Sequence, residues 1–451
     1  MLSTALAGAA PAPPASLARA YEAPSFAARA ASPPPIYAFD IRTYGAVGDG
    51  VADDTAAVQA AFDAAVAAGG GTVFVPSGAF RVTATVTVAG ATSVSLAVRG
   101  EGWQSALVWE AATDLLVFAP VDKSQLAHAL LADFAVVCAG AGPKPARATA
   151  VKFASGIVRS TLSNLLFYGA GPLPNASLGN AVTCGTNLDL GGASVTDTVT
   201  VRDTLHWFLL GTGVVIGRGS EVRVLGGRIV GTGARDDGSI GVHVTGNNGG
   251  VHVSETDVIG LGIGVLLENA SGAGSNRETF ITHATMDSDG VGLLVNDSSY
   301  VSVAGCWAAS SDRANVLLDT GAAGAHVVIA GGTIFNGGSL VPAGTCAAGD
   351  GSRGCNGIVA REGDFSLTGV LIWANKGVGL LVEAPADGFV VSGCRFEGNG
   401  QGAKIANAST DFALVGNVLR NNNLPSSFGG PGQGVVANNV DRDGRSGPER
   451  L

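Results

Sequence analysis

Between Thr55 and Ala68 the apolar residues Val58, Phe62 and Val66 recur at every fourth position, a period that predicts one amphipathic helix. Asp53 and Asp54 stand where acceptors can cap its first amides, and Gly69, Gly70 and Gly71 end it. The pattern then changes. Thr72 to Val75 and Phe80 to Val88, on either side of the turn Pro76-Ser77-Gly78, are β-branched and strand-like. From about Val94 to Val440 an imperfect unit of about 22 to 30 residues recurs, each copy holding short β-branched runs broken by Gly, Asn, Asp or Ser. The clearest copies begin at Val251, Phe280, Tyr300, Phe365 and Phe389, and no helical period returns between the runs. Three short strands and three turns consume about that many residues, so one unit makes one coil of a parallel β-helix. The chain is therefore expected to be all-β apart from the single helix, which would cover the open end of the first coil.

Stacking the units turns them into columns of side chains. Asn164, Asp203, Gly226, Glu255, His283, Cys306, Cys394 and Asn417 fall at one turn position, where Glu255 over His283 is expected to form an ion pair. Thr245, Glu268, Asn296, Asp319, Arg361, Glu383 and Asn407 form an outward polar column, beside a second column of His243, Leu266, Leu294, Leu317, Val359, Leu381 and Lys404. Coils repeat every ~4.8 Å, so each column is a ruler suited to a linear polymer. Glu268 and Asp319 are two coils apart, roughly 10 Å at the backbone, and so are Asp319 and Glu383, with Arg361 between them. Side chains leaning together could reach the ~6.5 to 9.5 Å separation of an inverting glycosidase. Glu268, Asp319 and Glu383 are accordingly the candidate catalytic acids. His243, Asn296, Arg361, Lys404 and the turn acids Asp236 and Asp237 are the candidate substrate-binding residues. Outward acids also serve simply to keep a solenoid in solution.

Composition narrows the choice of partner. The chain has 451 residues with 68 glycines and no G-X-Y period, which points to many turns rather than to collagen. A net charge of −10 without a basic patch argues against nucleic acid, and no apolar stretch reaches the ~18 residues that cross a membrane. His243, His252 and His283 lack Cys or carboxylate partners at ligand spacing, so neither metal nor cofactor is expected. Residues 1–38, rich in Ala and Pro, read as a leader or disordered arm; 39–440 form the β-helix, and 441–451 a disordered tail. Cys346 and Cys355 sit in one Gly-rich loop and are expected to form a disulfide, with two free thiols or an incomplete metal pair as alternatives. Cys138, Cys184, Cys306 and Cys394 lie in apolar strands and read as small core residues. With sequons at Asn175, Asn269, Asn296 and Asn407, these features suit a secreted or cell-surface protein. No residue pattern speaks to oligomeric state.

Phe39 to Val82, FDIRTYGAVGDGVADDTAAVQAAFDAAVAAGGGTVFVPSGAFRV, resembles the opening segment of the pectate-lyase-like right-handed β-helices. That superfamily includes polygalacturonases, rhamnogalacturonases, exo-β-1,3-glucanases, alginate epimerases and phage tailspikes, so the resemblance implies a right-handed coil and a polysaccharide partner. The motifs depart from each member. Of the polygalacturonase set only Asp236-Asp237 matches, since His243 lacks its flanking glycines and no Arg-X-Lys follows. Tyr168-Gly169 continues into Ala170-Gly171-Pro172 rather than the Asp-Pro-His of the alginate epimerases. Three readings stay open: an inverting glycoside hydrolase of pectin or glucan type, a polysaccharide lyase or uronate epimerase, and a non-catalytic glycan-binding or adhesion solenoid. The first is favoured by the acid column. A lyase needs a basic residue beside a neutralised carboxylate, for which Arg361, Lys376, Arg395 and Lys404 are candidates scattered over several columns.

Overall fold

The computed structural model describes residues 38–441 except 91–94, 120–125, 141–147, 170–183, 270–275, 320–325, 343–344, 347–353, 384–385 and 429–433. The expected arm up to residue 37, the tail from 442 and the sequon at Asn175 lie outside these residues. Short strands follow one another in threes, and each pairs in parallel with the strand one coil before and one coil after. The result is a right-handed parallel β-helix with three sheets. Sheet 1 runs to Gly434–Ala437, sheet 2 from Asp49–Asp53 to Val440–Asp441, and sheet 3 from Val86–Ala89 to Ser427–Phe428.

Alternation along each strand sends one set of side chains inward, and register stacks that set coil upon coil. In sheet 1 the inward row includes Val201, Val224, Val253, Ile281, Val303, Ile329, Leu367 and Val391, all buried. Such a side chain gains about 1.5–3 kcal/mol from leaving water, so the row as a whole holds the coils together. The equivalent row of sheet 2 runs Val136, Phe167, His206, Ile229 and Val258, with an imidazole where every neighbour is apolar. Phe167 stacks on that ring at 4.9 Å.

The expected helix is present as α1, Thr55–Ala67, and buries Val58 and Phe62 against the first coil, Phe62 meeting Phe118 edge-on at 6.2 Å. Asp54 precedes it but makes no cap; its carboxylate instead accepts from the amides of Val47 and Gly48 at 2.6 and 3.2 Å. Asp53 takes the Thr55 amide at 3.1 Å. The expected strand Phe80 to Val88 divides into Gly78–Val82 and Val86–Ala89, because the chain turns there from sheet 2 to sheet 3.

A left-handed residue opens each of these corners from sheet 1 to sheet 2: Asn164, Asp203, Gly226, Glu255 and His283, then Gly305, Gly393 and Gly416, with φ between 50° and 68°, and at Gly226 a second one, Gly227, follows at 76°. The expected turn column is therefore correct as far as His283 and then slips by one. Cys306, Cys394 and Asn417 follow the corner residue and point into the core. The glycines carry the same conformation without a side chain, so matching by polarity passes over them. Among the described residues no ion pair joins Glu255 to His283; the His283 ring lies over Gly305, where a Cβ would meet it at 3.0 Å.

At the corner from sheet 2 to sheet 3 buried asparagines stack along the axis. The Asn375 amide donates to Asn399 Oδ1 at 2.9 Å and the Asn399 amide to Asn422 Oδ1 at 3.0 Å. Each of the three also donates to a carbonyl one coil earlier, at 3.0 to 3.3 Å. Asp289 occupies the same row. Its Oδ1 accepts from the Leu261 amide at 2.8 Å, but Oδ2 is buried without a partner, and burial pushes the carboxyl well above its usual range. A raised folded-state pKa stabilises the fold at low pH, and that contribution is lost as pH rises through the folded value. Asp289→Asn restores the amide donor of the row and should stabilise the protein by about 1–3 kcal/mol at pH 8, with the gain shrinking below pH ~4. Paired urea melts at the two pH values check this; a variant less stable than the parent at pH 8 would contradict it.

The structure has two disulfides. Cys346–Cys355, with Cα atoms 5.9 Å apart, is the expected pair. Cys138 and Cys184, expected as core thiols, are instead bonded to each other, their Cα atoms 5.5 Å apart across a sequence separation of 46. Cys138 ends a sheet 2 strand, where the side chain meets the next coil rather than the middle of the inward row. Cys306 and Cys394 are buried free thiols.

Candidate functional site

The outer face of sheet 3 carries both columns anticipated from the sequence. The second column runs in continuous register through Lys152, Asp189, Val215, His243, Leu266, Leu294, Leu317, Val359, Leu381 and Lys404. In the first, Thr245 pairs with Glu268. Coil-to-coil amide bonds then carry it through Asn296, Asp319, Arg361 and Glu383, at 2.7 to 3.0 Å. It ends at Ala406, whose amide bonds Val382 O at 3.1 Å, rather than at Asn407.

The two ends of this face differ in chemistry. Toward the C-terminus, Arg361 bridges two of the candidate acids, donating to Asp319 at 3.1 Å and to Glu383 at 2.8 Å. Its guanidinium fills the gap in which an inverting enzyme would hold water between that pair. Asn296 is half-buried between Glu268 and Asp319, and Lys404 is exposed two coils beyond Val359. Asp236 and Asp237 lie apart from both columns, on the turn into sheet 3. Asp237 there accepts from the Ser239 amide at 2.9 Å and from Thr232 Oγ1 at 3.1 Å, while Asp236 is exposed.

Toward the N-terminus the face gathers groups of opposite proton affinity. His243 Nε2 and Glu268 Oε1 are 2.8 Å apart, with side chains 17% and 25% exposed. Burial holds the imidazole below its ordinary value, against the upward pull of Glu268 and then of Asp189. Asp189, two coils earlier on the same column, is moved the other way, pushed up by burial although its Oδ1 accepts from the Gly191 amide at 2.7 Å. Lys152, on the adjacent coil, donates to Asp114 Oδ2 at 3.2 Å, and Asp114 Oδ1 is fixed by the Thr149 amide at 2.8 Å. A carboxyl displaced upward on the same face as an imidazole displaced downward is an arrangement that supports acid–base chemistry. Sequence reasoning missed Asp114, Lys152 and Asp189. The signal was there in Val151-Lys152-Phe153 and Leu188-Asp189-Leu190, where one charge interrupts two core residues and so must face outward.

Comparison with known proteins agrees with the architecture. The family model of rhamnogalacturonase A and epimerase, pectate lyase-like, matches residues 38–105. The chain has the right-handed parallel β-helix fold, and its opening segment is pectate-lyase-like. Mannuronan C5-epimerase AlgE5 of Azotobacter vinelandii is 64% identical over 44 residues, a match spanning 10% of this chain and 4% of the epimerase. The A-module of mannuronan C5-epimerase AlgE4 from the same organism superposes with a TM-score of 0.59 at 15% identity, covering 88% of this chain and 99% of the module. The catalytic unit of an α-1,3-glucanase from Streptomyces thermodiastaticus gives a TM-score of 0.53 at 14% identity, over 92% of this chain and 71% of the glucanase. At these identities the structural likeness is one of fold.

Proposed function

We propose that this protein is an enzyme acting on an acidic polysaccharide laid along sheet 3. Lys152, Asp189, His243 and Glu268 would remove and return a proton beside a uronate carboxylate, the chemistry of a lyase or C5-epimerase. The observation that carries the reading is the pair of opposite displacements, Asp189 upward and His243 downward, on one outward column. Two coils separate them, roughly 10 Å at the backbone, which leaves room for one sugar ring.

In this scheme the Lys152 ammonium, anchored by Asp114, neutralises the uronate carboxylate and so acidifies the adjacent C–H. With Glu268 accepting from Nε2, His243 keeps its lone pair on Nδ1 and takes that proton. Asp189 gives its own proton either to the opposite face of the same carbon, which inverts it, or to the glycosidic oxygen as that bond breaks and a double bond forms. The epimerase names among the relatives support this assignment, as does the Arg361 bridge across Asp319 and Glu383. The two disulfides suit an oxidising compartment, in keeping with secretion.

His243→Gln and Lys152→Met should each lower turnover on polyuronate by ~100-fold or more. Ultraviolet absorbance of unsaturated ends and proton spectra of the uronate units follow the two outcomes. Unchanged rates in both variants would discard the site. The two-coil interval between Glu268 and Asp319, with only Asn296 between, supports hydrolysis as a second reading. It requires new reducing ends of inverted anomer, without unsaturation, that fall in Asp319→Asn and in Glu268→Gln. Retention of glycan with no product of either kind would favour a binding solenoid.

A further inference from the structure

The outer face of sheet 2 holds a feature that the chemistry on sheet 3 does not use. Trp307, Phe335 and Trp373 come from three consecutive coils, in strands Trp307–Ala309, Thr333–Phe335 and Leu371–Trp373. Phe335 and Trp373 are register partners, and the small Ala309 occupies their row one coil earlier, which lets the Trp307 ring reach across from the adjoining row. Ring centroids are 5.4 Å apart from Trp307 to Phe335 and 4.8 Å from Phe335 to Trp373, with planes tilted by 51° and 36°. Trp307 and Trp373 are nevertheless 40% and 43% exposed. A water-facing strand position ordinarily carries a polar residue, and contiguous exposed aromatics mark a surface that binds something.

The next coils give the patch a charge. Glu397 and then Arg420 continue the row of Trp373, and Arg395 stands in the adjoining row. Both arginines bond Glu397, Arg420 at 2.9 Å, so two guanidiniums face one carboxylate and the end of the ladder is net positive. Rings step along the axis once per coil, at ~4.8 Å, as the units of an extended sugar chain would. The C–H face of a pyranose is apolar and flat enough to lie on an aromatic ring, and a guanidinium fork matches a carboxylate.

We propose that Trp307, Phe335 and Trp373, with Arg395 and Arg420, form a second polysaccharide-binding site, which takes an extended uronate-containing chain. Sugar rings stack on the aromatic ladder, and a carboxylate meets the arginine end. The site lies on a different sheet from the reaction centre and does not depend on it. It would hold polymer to the protein whether or not the sheet 3 residues turn it over.

The test is retardation of the full chain in native gels containing polymannuronate, with titration calorimetry for affinity. A His243→Gln background removes turnover. The double variant Trp307→Ala/Trp373→Ala should bind about tenfold more weakly or worse, as expected for loss of aromatic anchors. Arg395→Gln/Arg420→Gln should weaken binding and flatten its dependence on salt. Trp373→Phe keeps a ring and should retain most of the affinity, and it serves if the double variant does not fold. Unchanged affinity in the tryptophan variants would overturn the proposal. So would equal affinity for an uncharged β-glucan, or sedimentation showing that the tryptophans hold two copies of the chain together and that glycan binding does not need them.

Discussion

Between pH 6.5 and about 3 the folded protein should lose about 4 kcal/mol of stability through His206 alone. The imidazole is wholly buried in the inward row of sheet 2, between Phe167 and Ile229. Its Nδ1 lies 3.0 Å from the Asn187 amide and its Nε2 3.1 Å from Thr204 Oγ1. The ring is thus fully partnered while neutral, and burial pushes its pKa down from 6.5 to about 3. The sign follows from linkage. A depressed folded-state value means that the unfolded chain binds the proton first, so the stability present above pH 6.5 is lost as pH falls toward the folded value. By pH 4 the loss is about 3 kcal/mol. His206→Gln cannot take up a proton. The difference in stability between parent and variant should therefore narrow, by that amount, from pH 7 to pH 4. Urea melts of both proteins at the two pH values measure it, and parallel curves would show that His206 is not a buried neutral base.

Replacing Cys138 and Cys184 together by alanine should cost about 4 kcal/mol, the loop-closure entropy of a 46-residue separation. The Cys346–Cys355 pair spans nine residues and should be worth only about 2.5 kcal/mol by the same relation. The longer bridge matters more because it restrains the unfolded chain over more than one coil. It joins the end of the sheet 2 strand Ala135–Cys138 to the segment just before the sheet 3 strand Thr186–Asp189 of the following coil. Unfolding midpoints of the two double-alanine variants, each keeping the other bridge, give the comparison. A smaller loss for the Cys138/Cys184 variant than for the Cys346/Cys355 variant would refute the entropic ranking.

Much of the architecture was legible residue by residue. The four-residue period of Val58, Phe62 and Val66 predicted a helix over Thr55 to Ala68, and α1 ends one residue earlier. The column from His243 to Lys404 follows the observed register throughout, because each coil contributes the same alternation of inward and outward positions. The outward column failed only at Asn407, one residue past Ala406, and the corner column only from Gly305 onward, where it slipped past the corner glycines. A one-residue slip in a strand exchanges the two faces, which is why Cys306, Cys394 and Asn417 changed from turn residues to core residues.

The candidate site was less legible. Lys152 and Asp189 belong to early coils that are unequally spaced in sequence, so no fixed repeat length brought them into line with His243. The Cys138–Cys184 bond escaped for the same reason, whereas Arg361 was placed between Asp319 and Glu383 and only its ion pairs with both were not foreseen. Each depends on which side chains meet across coils 22 to 46 residues apart in sequence. By itself the sequence determined the capping helix, the β-coil repeat and the face on which each outward residue stands, since these follow from local periodicity and a two-residue alternation. Only the tertiary structure decided which residues become neighbours along the axis and which way burial moves Asp189, His206, His243 and Asp289. Both depend on register between coils and on how completely the stacked coils exclude water, and neither is a property of any one repeat.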